Sequence, residues 1–82
     1  MKHNMKYKLG DIVRVRPDLK EQHLYSNENG ATAEVAVPEM LELCGQKLKI
    51  EKIVGLEKEY FYLIKGWLWT DEMLMECNKY EQ

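Results

Sequence analysis

Cysteine, histidine and proline are scarce in this chain, two of each among 82 residues. Cys44 and Cys77 stand 33 residues apart in no CxxC or Cys/His spacing, so they read as free thiols and not as a zinc site or redox pair. His3 and His23 have no carboxylate or cysteine neighbours at ligand spacing and read as surface residues. No metal and no cofactor is expected. There is no Ser/His/Asp or Cys/His arrangement, no phosphate-cradling glycine loop and no HExxH. Catalysis needs a concave pocket that excludes water, which so small a domain seldom encloses, and no enzyme is expected. The adjacent acids Asp71 and Glu72 read as dipole partners opening a helical turn. Long apolar runs are also missing: none nears the roughly 20 residues that span a bilayer. The N-terminal MKHNMKYKLGD lacks the apolar stretch of a secretory signal, so a soluble, cytoplasmic protein is expected.

What is present suits a folded domain: 45% hydrophobic residues with 32% charged. One domain is expected. A chain this short buries only about 60–65% of its unfolded surface, so every large apolar residue counts. The net charge of −2 hides an alternation along the chain. Residues 1–20 hold six Lys/Arg and two Asp, and residues 21–44 hold five Glu and no Lys or Arg. Residues 45–65 hold five Lys and three Glu, and residues 66–82 one Lys and four acids. A two-signed surface favours a protein partner with matching charges over non-specific nucleic-acid binding, which needs one broad basic face.

Alternation in YKLGDIVRVRPDL (7–19) predicts a strand with Leu9, Asp11, Val13 and Val15 on one face and Ile12, Arg14 and Arg16 on the other, ended by Pro17. Residues 18–44 form a long connection. In it, SNENG (26–30) reads as a turn or mobile tip, ATAEVAV as a short extended piece, and PEMLELCG (38–45) as a short helix. Pro38 and Glu39 suit that helix's first turn and Gly45 its stop. Gln46–Val54 predicts a second strand whose register slips at a bulge near Glu51–Lys52. In the third, Glu59–Lys65, Tyr60, Tyr62 and Ile64 take one face and Phe61 and Leu63 the other; a strand apolar on both faces is expected to be central and covered on both sides. Lys65–Gly66 predicts a tight turn into a WLW strand. Thr70 is placed to cap a single helical turn, and Met73–Cys77 forms the last strand.

Five short strands with one long insert predict a small, partly open barrel. LGDIVRVRPDL, the IEKI strand after Gly45, and GWLWTDEML resemble the SH3-like barrel modules of short phage and prophage proteins. They are also similar to the Mind bomb-type SH3-like repeats. The resemblance is carried by Gly10, Asp11, Val13 and Val15 (GDxVxV) and by the WxWT strand before an acidic turn and Met73. It implies a mainly β fold: a five-stranded, partly open SH3-like barrel over residues 9–77, with an arm at 1–8, an insert at 18–44 carrying the helix, and a tail at 78–82. The insert is a departure from the minimal module. SH3-like barrels host unrelated functions. The company such modules keep implies a non-catalytic phage or mobile-element accessory protein, an anti-defence or anti-CRISPR-type inhibitor that occupies a protein surface in the host cytoplasm.

Trp67 and Trp69, two apart in a strand, share one face, and Leu68 takes the other. A closed barrel of this size holds Val, Leu and Ile but has little room for two indoles. Leu68 is therefore expected inside with Val13, Val15, Leu48, Ile50 and Phe61 or Leu63, and the indoles outside. The insert, through Leu24, Tyr25, Val37, Met40 and Leu41, is one cover for them. A protein-binding groove built with Tyr25, Tyr60 or Tyr62 is a second outcome. A stacking platform for single-stranded nucleic acid, with Arg14, Arg16 or Lys49 on the same face, is a third. Homodimerisation through the aromatic face stays open as well. Arg14 and Arg16 read as a solvated face paired with Glu76, or as an anchor for an acidic partner or phosphate. Glu34, Glu39 and Glu42 lie in a stretch of net charge −5, which is either a solvated insert or an acidic surface that competes for a basic groove on another protein.

Overall fold

The computed structural model describes residues 5–77. These run as β1 (Ile12–Val15), β2 (Leu24–Ser26), β3 (Ala33–Val35), α1 (Pro38–Leu41), β4 (Lys47–Lys49), β5 (Lys52–Leu56), β6 (Glu59–Ile64), β7 (Trp67–Trp69), a 3-10 turn (Asp71–Met73) and β8 (Leu74–Glu76). The chain is mainly β, with three small antiparallel sheets ordered β4-β1-β8, β2-β3 and β5-β6-β7. Among the described residues no ladder joins these sheets into a closed barrel. The predicted tail at 78–82 and the first four residues of the predicted arm, with His3, lie outside the described residues.

The five predicted strands are found, and the difference in number has two causes. The second strand is split between two sheets. Ile50 N–H donates to Asp11 O (2.9 Å), extending the β1–β4 pairing, and one residue later Glu51 N–H donates to Leu63 O (3.0 Å) on β6. The predicted bulge is thus a corner at which the chain changes sheets around the fully buried Ile50. The insert also contains a hairpin, β2–β3, in which Tyr25 lies opposite Glu34.

Local chemistry explains the turns and the helix. Lys65 and Gly66 both take positive φ (55° and 82°), the pattern that reverses a two-residue hairpin with the strands' own twist. Gly55 has φ +104°, and a Cβ there would sit 2.1 Å from Glu59 O, so the β5–β6 hairpin needs glycine at this point. Helix α1 is one turn, with Pro38 at its start and Met40 buried beneath it. The helix ends at Leu41, short of the expected 38–45, and the turn that follows is tied to β1 by Gly45 N–H donating to Val15 O (2.8 Å).

Val13 and Val15 are buried and Ile12 is exposed, as the alternation predicts. β7 has the opposite sense to the one expected. Trp69 is fully buried, Trp67 packs half-buried against the core, and Leu68 lies outside the core. The expectation assumed a closed barrel with no room for rings. The open sheets instead leave a space that Trp69, Tyr60, Tyr62, Tyr7, Met40 and Met73 fill. Phe61 and Leu63 are turned outward with Leu68, while Leu48 packs on the core from its edge. Tyr7, assigned by sequence to the arm, is 4% exposed and belongs to the core. No helix of the described residues is long and apolar enough to cross a membrane.

Candidate interaction surface

The inward sense of β6 and β7 is held by one buried carboxyl group. Asp71 Oδ1 accepts from Tyr62 O–H (2.6 Å), and Oδ2 accepts from Tyr60 O–H (2.8 Å) and from Glu28 N–H (3.0 Å). Asp71 N–H donates to Asn27 Oδ1 (2.8 Å). Asn27 Nδ2 donates in turn to Tyr60 O (2.7 Å) and to the Thr32 hydroxyl. Tyr62 Oη accepts from Tyr7 N–H (3.2 Å). Thr70 stands at the predicted N-cap position, but its hydroxyl donates to Tyr25 O (3.1 Å) and makes no cap bond. The SNENG turn is therefore an anchor, not a free tip: Asn27 is buried, and the following Glu28 pairs with Lys6 (2.8 Å) at the surface. Among the described residues every buried side-chain N or O atom has a partner.

This network gives a signature at high pH. Burial, then the hydrogen bonds to Asp71, push the Tyr60 and Tyr62 hydroxyls well above the ordinary tyrosine range. In the unfolded chain they ionise at about pH 10. The stability they contribute is complete below about pH 10 and is lost as pH rises above it toward the folded values. Tyrosinate absorbance from these residues is expected to rise only together with loss of the far-ultraviolet dichroism of the sheets. Ionisation of all five tyrosines with the dichroism intact would contradict the network.

The predicted partner-binding residues separate into a buried set and a scattered surface set. Trp69, Tyr60 and Tyr62 are buried and Trp67 is half-buried against the core, so the aromatic face is mainly part of the fold's interior. Tyr25 is half-buried against the core; its hydroxyl accepts from Lys20 N–H (2.9 Å). Arg14 Nη1 donates to Gly45 O (2.9 Å), and the predicted partner, Glu76, lies opposite Val13. Arg16 pairs with Asp18 (3.1 Å), and that bond holds the Asp18 carboxyl below its usual range. Glu34 is half-buried in β3, while Glu39 and Glu42 are exposed. Arg14 and Lys49 do share the outer face of β4-β1-β8 with Lys47, Ile12 and Met75. The rings a stacking platform needs lie on the inner side. Cys44 and Cys77 are free, and among the described residues no three His, Cys, Asp or Glu are placed to hold a metal ion.

The structure presents a different, partly exposed surface. In β5-β6-β7 the register sets Val54 opposite Phe61, Leu63 opposite Leu68, Lys52 opposite Leu63 and Leu56 opposite Glu59. Since Tyr60, Tyr62, Ile64 and Trp69 point inward, alternation places Val54, Leu56, Phe61, Leu63 and Leu68 on the outer face. None of these five belongs to the core or to the residues packed on it; Leu56 is 78% exposed, and Val54, Phe61, Leu63 and Leu68 are half-buried among themselves and their neighbours on this face. Lys52 borders the patch at one end and Glu59 at the other. An open concavity of about 370 Å³ beside the β5–β6 turn is lined by Leu56, Glu57, Lys58 and Glu59. An antiparallel sheet with one solvated face usually carries polar residues there, and a contiguous apolar patch marks an interaction site. The apolar residues on both sides of β6 were the sequence signal for this face, but they predict burial within the chain equally well.

Compared with protein-family models, curated proteins and solved structures, the chain finds no match.

Proposed function

We propose that the chain is a non-catalytic protein-binding module that docks its partner on the outer face of β5-β6-β7. The observation that carries this is the apolar row Val54, Phe61, Leu63 and Leu68 lying outside the core of a chain otherwise well supplied with charge. The strand set supports an SH3-like arrangement: β1, the bent pair β4–β5, β6, β7, then a 3-10 turn leading into β8. The resemblance to phage and prophage modules makes inhibition by covering a host protein's surface the version to examine first.

A structural face and a docking face respond differently to charge. Leu56→Lys and Leu68→Lys are expected to change folding stability by no more than about 1 kcal/mol each, because neither residue packs in the core. With a photo-reactive residue at position 61, irradiation in the source cells should yield a covalent protein adduct, and the two lysine substitutions should abolish it. Loss of folding in the lysine variants, or no protein adduct at position 61, would count against the docking face.

A further inference from the structure

We propose that the occupant of this face is a second copy of the chain, packed face to face about a two-fold axis that passes between Val54 and Phe61 and runs roughly across the strands. The inference rests on the docking-face reading and names the resting occupant of that face, so that a host protein would reach it only by displacing the second copy. A two-fold interface uses the same patch on both subunits, so the patch must complement itself. This one does so through its charges. Lys52 opens β5, and Glu59 opens β6 at the other end of the patch, opposite Leu56. Four residues along the strands and one strand across separate them by about 14 Å. An axis across the strands turns one copy end for end, laying Lys52 of each copy over Glu59 of the other and bringing the Val54–Phe61 centres together. An axis along the strands would set like ends against each other, which costs energy. Both side chains are exposed, and among the described residues neither has an ion-pair partner.

The patch also predicts the strength of the association. Three short strands offer roughly 400 Å² per copy, about half of what a standard interface buries on each side. A dimer with a dissociation constant on the order of 10–100 μM is therefore expected.

Sedimentation equilibrium from micromolar to millimolar concentration tests this. The weight-average mass of the wild-type chain should climb toward twice the chain mass. K52E places two acids at both contacts, and E59K places two lysines there, so each alone should associate at least about ten-fold more weakly. In an equimolar mixture of K52E and E59K the mixed dimer has an attractive pair at both contacts, one with reversed sign and one as in the wild type, and should regain association close to wild type. Both positions are exposed, and equal melting temperatures would show that the variants fold. A wild-type chain that stays at single-chain mass to millimolar concentration overturns the proposal, as does a mixture no tighter than its components. If such a monomer still gives an adduct of foreign mass at position 61, only the second copy is overturned. If it gives no adduct, the docking face falls with it.

Discussion

Asp71→Ala is expected to destabilise the fold by about 3–5 kcal/mol, because it strips a buried acceptor from three donors at once. Tyr60 O–H, Tyr62 O–H and Glu28 N–H all end on its two oxygens, and Asp71 itself is 1% exposed. Each buried donor left without an acceptor costs about 1–3 kcal/mol, which an entering water reduces without abolishing. A chain of 82 residues has on the order of 4–12 kcal/mol in all, so this one substitution removes much of it. Thermal melting should show a fall of well over about 10 °C. Glu72→Ala is the control. Glu72 is the adjacent acid, exposed, with Oε1 accepting from Ser26 N–H (2.9 Å). Its loss is expected to cost about 1 kcal/mol or less. Were both acids merely partners of a helical dipole, the two variants would melt alike, and that equality would remove the hub.

The same network separates what was legible in the sequence from what was not. Legible features depend on chain neighbours. The phase of β1 follows from alternation, the Lys65–Gly66 turn from glycine and the hairpin geometry, and the start of α1 from Pro38, although the helix ends at Leu41, short of the stop expected at Gly45. Asp71 was illegible for a specific reason. Beside Glu72 and after Thr70 it has the local chemistry of a helix start, and nothing nearby reveals that two tyrosines nine and eleven residues earlier point at it. Asn27 was hidden in the same way. In a polar turn it resembles solvent-facing sequence, yet its amide bridges Tyr60 O and Asp71 N–H across the sheet. The acid followed at once by the buried Met73 and Leu74 is the exposed Glu72, so the chain neighbours do not single out Asp71 either.

The sense of β7 was underdetermined in a different way. A period of two shows that Trp67 and Trp69 share a face and says nothing about which face is inside. That choice belongs to the volume between the sheets, which depends on whether the strands close. Here they do not, and the 18–44 insert seals the gap with Met40 buried and Tyr25, Val37 and Leu41 packed on the core. The cover expected from the insert is therefore real for these four residues, whereas Leu24 stays 62% exposed. The candidate site moved as a consequence. Trp69, expected outside, became core, and Leu68, expected inside, turned to the outer face with Phe61 and Leu63, while Val13, Val15 and Ile50 kept their expected place inside.

Trp69→Ala and Leu68→Ala decide that reversal directly. Trp69 is fully buried, and its indole N–H donates to Ile64 O (3.0 Å), so the one polar atom of the ring is satisfied inside. Truncation removes the largest side chain of the core and leaves a cavity that β6 and β7, tied together by their ladder, close only in part. A loss of about 3–5 kcal/mol is expected, read as a lower midpoint in urea with the slope retained. Leu68 faces outward opposite Leu63, and its truncation is expected to cost about 1 kcal/mol or less, with dimerisation weakened at the same time. The two variants thus trade places in two assays. Trp69→Ala damages folding, and whatever stays folded keeps the Lys52 and Glu59 ends of the patch. Leu68→Ala leaves folding nearly intact and erodes the contact. A barrel built as first expected, with the leucine plugging its centre and the indoles gripping a partner, requires the opposite order in both measurements.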